Sequence, residues 1–212
     1  MKRSIVKNGS LLGLFALLCT ALVAMVNLFT ADRIKQQQDL ELMRTLHQII
    51  PDEIHDNALI EHCILIHDAA ALGVDEPLPA YIASQQGTPV AIAIETVAPD
   101  GYNGQIKLIV AIDVQGKVLG VRTLAHNETP GLGDKIELRK SDWVYQFNQQ
   151  QLSDDNDKLW AVKKDGGQFD QFTGATITPR AYVGSVKRTL QYFNANQAQL
   201  LNRPANCEVS YE

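Results

Sequence analysis

The residues best suited to chemistry are gathered in one decapeptide, Asp170-Gln171-Phe172-Thr173-Gly174-Ala175-Thr176-Ile177-Thr178-Pro179, where three threonine hydroxyls surround a Gly-Ala pair just before a helix-forming run. Gly174 permits close backbone approach and Ala175 adds little bulk. The unsatisfied N–H groups of a helix start, aided by the helix dipole, favour a bound anion such as a phosphate. The same residues also describe an ordinary capping turn, since threonine and glycine precede many helices that bind nothing. A second segment, His126-Asn127-Glu128-Thr129-Pro130-Gly131-Leu132-Gly133, has Pro130-Gly131 for a tight turn and Gly133 for backbone freedom. That arrangement would press Glu128, Thr129 and Leu132 against a planar ligand, and its alternative is a surface turn joining a strand to a helix. Trp143 and Phe147, four residues apart, could extend a ring pocket, but core packing accounts for them better.

Other constellations fail on spacing. His62, Cys63 and His67 are metal-ligating types, but on a strand positions five apart face opposite sides, so no metal site is expected from them. Position 136 is Ile, which leaves Gly131-x-Gly133 without the third glycine of a dinucleotide loop. A Gly-Lys-Ser/Thr phosphate loop and a Gly-x-Ser-x-Gly elbow are both missing from the sequence, so NAD, ATP and serine-hydrolase chemistry are not expected. Asn127-Glu128-Thr129 is formally a glycosylation sequon and is read as part of the Glu128 loop.

The chain has 212 residues, 45% hydrophobic and 20% charged, with a net charge of −5, enough for one domain plus an appendage. Lys2, Arg3 and Lys7 precede the first acid, Asp32, so the remainder sets 16 of the 19 basic residues against all 24 acids and carries −8. Such a surface repels phosphate backbones and excludes nucleic acid as a partner. From Asn8 to Ala31 no residue is charged, and Leu11 to Phe29 is apolar apart from Thr20 and Asn27, long enough for one membrane-spanning helix. A cleaved signal peptide is the rival, but its apolar core is shorter, and no small-x-small cleavage site follows. The basic residues ahead of the span keep the amino terminus cytoplasmic and put the body outside, in a bacterial periplasm. There Cys63 and Cys207 either pair or remain free, while Cys19 lies in the lipid.

Leu40, Met43, Leu46, His47 and Ile50 recur at spacings of three and four, predicting an amphipathic stalk helix from Arg33 to Ile50 that packs on the body and is ended by Pro51. Apolar or alternating runs at 60–66, 80–84, 90–97, 105–113 and 117–125 predict strands, with a hairpin at Gln115-Gly116. A loop at 126–135, a helix around 141–150, a short strand from Lys158 to Val162 and a helix at about 179–195 complete the pattern. Thr178-Pro179 reads as cap and first residue of that last helix, and Val183, Val186, Leu190 and Phe193 form its apolar stripe. Strands first and helices later argue for an α+β body built on a largely antiparallel sheet with packed helices.

Asp170 to Thr176 matches the D-x-x-[ST]-G-A-T pattern of proteins that carry FMN through a phosphoester to threonine. With the single amino-terminal span, the Gly101-Tyr102-Asn103-Gly104-Gln105-Ile106 run and the His126–Gly133 loop, the chain resembles, over nearly its whole length, the RnfG family of Rnf (Rsx) electron-transport complexes. The NqrC family of sodium-pumping NADH:quinone oxidoreductases shares the motif and anchor but its members are generally longer, and it stands second. The resemblance implies FMN covalently attached to Thr176, with Thr173, Gly174, Ala175, Thr178, Glu128, Thr129 and Leu132 around it and Asp170 read by a periplasmic flavin transferase. It implies no catalytic residue beyond the flavin. The implied protein is an electron-carrying subunit of an ion-translocating complex at the bacterial inner membrane, with integral-membrane and iron-sulfur or flavin subunits as partners, and not an independent enzyme. Its expected organisation is a cytoplasmic terminus at 1–10, a transmembrane helix at 11–30, a stalk and linker at 31–58, a periplasmic FMN-binding domain at 59–203 and a tail at 204–212. The rival from another class is a membrane-anchored, non-redox assembly protein, which would be colourless.

Overall fold

The computed structural model describes residues 2–207, and the chain divides into two compact units, Met1–Arg44 and Thr45–Glu212. The first unit is formed by helix α1 (Lys2–Ile49) up to Arg44. From Ile5 to Ala31 this helix is long and apolar enough to cross a bilayer, and Phe15, Leu22 and Phe29 are 65%, 64% and 78% exposed. A helix apolar on all sides and left unburied among the described residues is matched to lipid rather than water. The hydroxyls of Thr20 and Thr30 donate to the carbonyls of Ala16 and Val26, each at 2.8 Å, so neither requires water. The expected stalk is not a separate helix. No Gly or Pro interrupts residues 31–49, and α1 continues to Ile49 before Pro51 ends it.

The second unit is an α+β body. Strands β1 (Cys63–Ile66), β2 (Leu78–Gln85), β3 (Thr88–Gly101), β4 (Gly104–Asp113) and β5 (Val118–Ala125) form one sheet in chain order, every pair antiparallel. A short helix α2 (Ala69–Leu72) lies between β1 and β2, and α3 (Ile177–Leu201) closes the chain. The β4–β5 hairpin turns at Gln115-Gly116 as expected, with Gly116 in the left-handed region at φ 83°.

Both faces of the sheet are covered, which is why β3 and β4 read as nearly continuous apolar runs. On one face Ile92, Ile94, Leu108 and Val110 join Val183, Val186, Leu190 and Phe193 of α3 in the main core. On the other, Ala91, Ala93, Ile109 and Ala111 are fully buried, and Gly120 pairs with Ala111. A Cβ at Gly120 would lie 2.9 Å from Ile49 Cγ2, so the last turn of α1 sits directly on this face. Leu46, Ile49 and Ile50 are buried there, and Arg122 Nε donates to Gln48 Oε1 at 3.2 Å. The compact unit that carries the sheet thus includes the last turn of α1, from Thr45 on.

The edge strand β1 is also covered. Cys63 and Cys207 form a disulfide, Leu65 N–H donates to Asn206 Oδ1 at 2.6 Å, and Asn206 N–H donates to the Cys63 carbonyl at 3.0 Å. These contacts blunt an edge otherwise open to pairing with another chain. The expected tail is therefore tied down through Cys207, while 208–212 lies outside the described residues.

Three local expectations give way. Residues 59–62 form a 3-10 turn ahead of β1, and the helix expected at 141–150 is a 3-10 segment, Asp142–Phe147, with Ser141 Oγ accepting from Trp143 N–H at 3.2 Å. The strand expected at 158–162 is replaced by a 3-10 segment, Asp154–Leu159, followed by an isolated bridge from Val162 to Phe169. In the last two, Trp143, Val144 and Phe147, and Trp160 and Val162, are buried from an irregular backbone, so the pattern names the buried residues but not the conformation; in the first only Leu59, just ahead of the expected run, is buried. Trp143 shows this: its ring lies edge-on to Phe172, Phe147 and Tyr182 at 5.0, 5.4 and 5.4 Å, which makes Trp143 and Phe147 core residues.

Candidate functional site

Helix α3 starts at Ile177, ahead of the expected Thr178 cap, with Thr176 at the N-cap position. Capping needs an extended backbone that aims the side-chain oxygen back at the first-turn amides. Thr176 instead has φ −82° and ψ −27°, already helical, and its side chain makes no cap hydrogen bond. Its hydroxyl is half-buried and uncommitted to the helix. The preceding turn is closed by Ala175 N–H donating to the Phe172 carbonyl at 3.1 Å, with Gly174 at φ 82°, the third-position geometry of a type II turn. A Cβ on Gly174 would meet only Leu132 Cδ2, at 3.5 Å, so glycine is needed there for its backbone angle rather than for space. Ile177 and Thr178 belong to the first turn, whose N–H groups have no intrahelical acceptor, and the positive end of α3 thus opens beside Thr176.

The opposing wall is the loop after β5. Thr129-Pro130-Gly131-Leu132 makes the expected tight turn, closed by Leu132 N–H to the Thr129 carbonyl at 3.1 Å with Gly131 at φ 77°. Glu128 is only 5% exposed, and its carboxylate accepts from Asn103 N–H at 3.1 Å and from the Thr178 hydroxyl. A Cβ on Gly133 would lie 2.8 Å from Glu128 Oε2 and 2.9 Å from Thr178 Oγ1, so this glycine makes room for the pair. Glu128 N–H donates to His126 Nδ1 at 3.0 Å, which leaves His126 Nε2 as the donor to Glu137 at 2.7 Å. Arg139 foremost, with His126, holds the Glu137 carboxyl below the usual carboxylate range.

Between the walls lies a cleft of about 380 Å³ lined by Tyr102, Glu128, Thr129, Leu132, Gly133 and the run from Gly174 to Thr178. Seven of the eight residues expected around a cofactor meet here: Glu128, Thr129, Leu132, Gly174, Ala175, Thr176 and Thr178. Thr173 is exposed and is not among the lining residues. Asp170 stands outside the cleft, with its carboxylate paired to Lys163 at 2.5 Å and its carbonyl accepting from Trp143 Nε1 at 2.8 Å.

Residues 1–49 match the RnfG N-terminal region, and residues 101–191 match the FMN-binding domain. Over 212 residues, 100% of both chains, the sequence is 84% identical to the G component of the ion-translocating oxidoreductase complex of Shewanella loihica. It is 67% identical to the corresponding protein of Shewanella piezotolerans, again over 100% of both, and 56% identical over 208 residues to that of Vibrio cholerae, 98% of this chain and 99% of the other. The chain belongs to the RnfG family.

The FMN-binding domain of this RnfG-family chain runs from the β3–β4 hairpin into α3 and so contains both walls of the cleft. The donor set fits FMN. An uncommitted hydroxyl and the positive end of a helix suit its phosphate, while Leu132 and Ile177, 42% and 46% exposed, offer apolar surface to a ring. Tyr102, Gly133 and Ile177 also line the cleft but are absent from the expected set. Tyr102, 66% exposed at the tip of the β3–β4 hairpin, lies in a run that carries part of the family resemblance, and only the fold brings that tip beside Glu128. Cys63 is joined to Cys207, so it is not a metal ligand with His62 and His67.

Proposed function

We propose that this chain is the FMN-carrying, single-span component of an ion-translocating oxidoreductase complex, with FMN attached through a phosphoester to Thr176. The observation that carries the reading is the Thr176 hydroxyl, free of any capping role, at the positive end of α3 and on the wall of the cleft. Gly174, Ala175 and Thr178 would border the phosphate, Thr173 would complete the transferase-read motif, and Glu128, Thr129 and Leu132 would stand toward the ring. Attachment joins Thr176 Oγ1 to the phosphorus of FMN as the phosphoanhydride of a flavin dinucleotide donor is cleaved, with a nucleoside monophosphate as the leaving group and the hydroxyl proton released to solvent. Exposed Asp170 is within reach of a periplasmic flavin transferase. The flavin, when bound, supplies electron transfer; the chain holds it and sets its surroundings.

The proposed organisation keeps residues 1–10 in the cytoplasm and 11–30 in the inner membrane, with the sheet body in the periplasm. The Cys63–Cys207 disulfide supports an oxidising compartment for that body. Integral-membrane and iron-sulfur or flavin subunits would be its partners. Full-length similarity to RnfG relatives favours this reading over the longer quinone-reductase component, and the FMN-binding domain favours it over a non-redox assembly protein. The test is to express the full chain in a host with a periplasmic flavin transferase, denature it, and look for flavin fluorescence on the protein band. Peptide mass should map the label to Thr176. A dark band beside a fluorescent flavinylated control would reject the covalent reading.

A further inference from the structure

Away from the cleft, His47, Asp52 and His55 bring one potential ligand atom each within 4.8 Å of one another. All three belong to the body, in the segment that turns out of the end of α1: His47 in its last helical turn, Asp52 opening the 3-10 turn Asp52–Ile54, and His55 just after it. The informative member is His55. Its side chain is 6% exposed, and its Nδ1 faces the Asn57 carbonyl at 3.2 Å. A carbonyl can only accept, so Nδ1 carries the proton and, in the neutral ring, Nε2 carries the lone pair. That Nε2 is buried, has no hydrogen-bond partner among the described residues, and lies 3.7 Å from Asp52 Oδ1, beyond hydrogen-bonding distance. A carbonyl fixing one ring nitrogen while the other is left unpaired is the arrangement of a metal-ligating histidine.

We infer that His47, Asp52 and His55 form a binding site for a divalent transition-metal ion of the zinc type. Two imidazoles and one carboxylate make an N2O donor set suited to Zn²⁺ and not to Ca²⁺ or Mg²⁺, which prefer oxygen ligands. Ligand bonds of about 2 Å at a tetrahedral centre set the ligand atoms about 3.3 Å apart, so Asp52 Oδ1 must draw in slightly toward His55 Nε2, now 3.7 Å away, and open from His47 Nδ1. Buried His55 is the fixed point, while His47 Nδ1 and Asp52 Oδ1 are hydrogen-bonded to each other on side chains 47% and 71% exposed, a contact the ion would replace. The exposed side leaves a fourth position for water. Bound there, the ion ties the last turn of α1 to the segment that follows. The site needs nothing from the flavin, so the two readings stand or fall separately.

The test uses the full chain in detergent, stripped with a chelator and titrated with Zn²⁺ against a chromogenic competitor, with Co²⁺ as a spectroscopic substitute. One equivalent should bind tightly, with Co²⁺ giving the visible absorption of low-coordinate nitrogen and oxygen ligation. Asp52→Asn, at an exposed position that leaves the fold intact, and His55→Gln should each weaken Zn²⁺ binding by at least about tenfold. His62→Gln should leave it unchanged. Absence of a stoichiometric site, or equal affinity in the wild type and Asp52→Asn, would overturn the inference and leave only a histidine–aspartate hydrogen bond.

Discussion

Thr176 and Thr178 stand two residues apart at the start of α3, yet one keeps a half-buried hydroxyl with no cap bond while the other is fully buried and donates to Glu128. The two walls of the cleft differ in the same way. The 173–176 turn is open and held mainly by backbone geometry, whereas the Glu128 loop is cross-linked to Asn103 and Thr178 and packed around a glycine that tolerates no Cβ. Residue type therefore does not decide which threonine is available for chemistry. Helix position does: the N-cap residue lines the cleft with its hydroxyl uncommitted, and the residue two further on spends its hydroxyl on a buried carboxylate.

The strongest way to break this contrast is Thr176→Val, which removes one hydroxyl from a position where it supports no helix cap. Covalent flavin should be abolished, with the folded chain and its membrane insertion preserved; Thr176→Ser should keep the label. In-gel flavin fluorescence reads both variants, and full retention in the valine variant would remove the assignment. Thr178→Val should do the reverse. Glu128 loses its hydroxyl donor in a buried site, which costs about 2 to 3 kcal/mol of stability, while the folded protein still accepts flavin on Thr176. Denaturant titration of the full chain in detergent, followed by the fluorescence assay, separates the two effects. A well-folded Thr178→Val protein without flavin would show that the two threonines share one role.

Gly133→Ala sharpens the same point from the other side of the pair. Its Cβ would sit 2.8 Å from Glu128 Oε2 and 3.0 Å from Glu128 Cβ, neither of which is free to retreat from a buried position. A loss of about 2 kcal/mol follows from overpacking. The double variant Gly133→Ala with Glu128→Ala should recover part of that loss in the same titration. Simple additivity would show that the glycine is not there to accommodate the glutamate.

The parts of this arrangement that were legible in the sequence are the local ones. Pro130-Gly131 specifies its turn, Gln115-Gly116 its hairpin, and the apolar or alternating runs mark the strands of an antiparallel sheet, because each depends on residues a few positions apart; Gly174 suggests close backbone approach, and the structure uses it for its left-handed angle instead. Glu128 with Thr178 is different: the partners are 50 residues apart, and nothing near either one announces the bond. The disulfide closes over 144 residues, so two cysteines in the sequence left both pairing and freedom open. The apolar stripe at the end of α1 announces a helix that packs on the body, but not that only its last turn does so or that it lands on the alanine-rich face at Gly120. The Asp142–Phe147 segment looked like an α-helix because Trp143 and Phe147 are both buried, which a 3-10 backbone achieves equally well.

The smallest expected effect tests whether satisfied hydrogen bonding is what distinguishes Glu128 from Glu95, another largely enclosed glutamate. Glu95 on β3 accepts from the Tyr81 hydroxyl at 3.3 Å, and burial pushes its carboxyl up to about 7, against weaker opposing effects from Tyr81 and Lys107. Because the folded-state value lies above the unfolded one, the folded chain holds this proton more tightly. Its contribution to stability is fully present below about pH 4.5 and is lost as the pH rises through 7. Glu95→Gln keeps an acceptor for Tyr81 but cannot ionise. At pH 8 it should be more stable than the wild type by about 1 to 2 kcal/mol, and at pH 4.5 the difference should shrink toward zero. Denaturant titrations at the two pH values measure this directly, and other titrating groups cancel between the variants. An unchanged gap across the range would mean that Glu95 ionises without cost, and enclosure would then be no measure of how tightly this body constrains its polar groups.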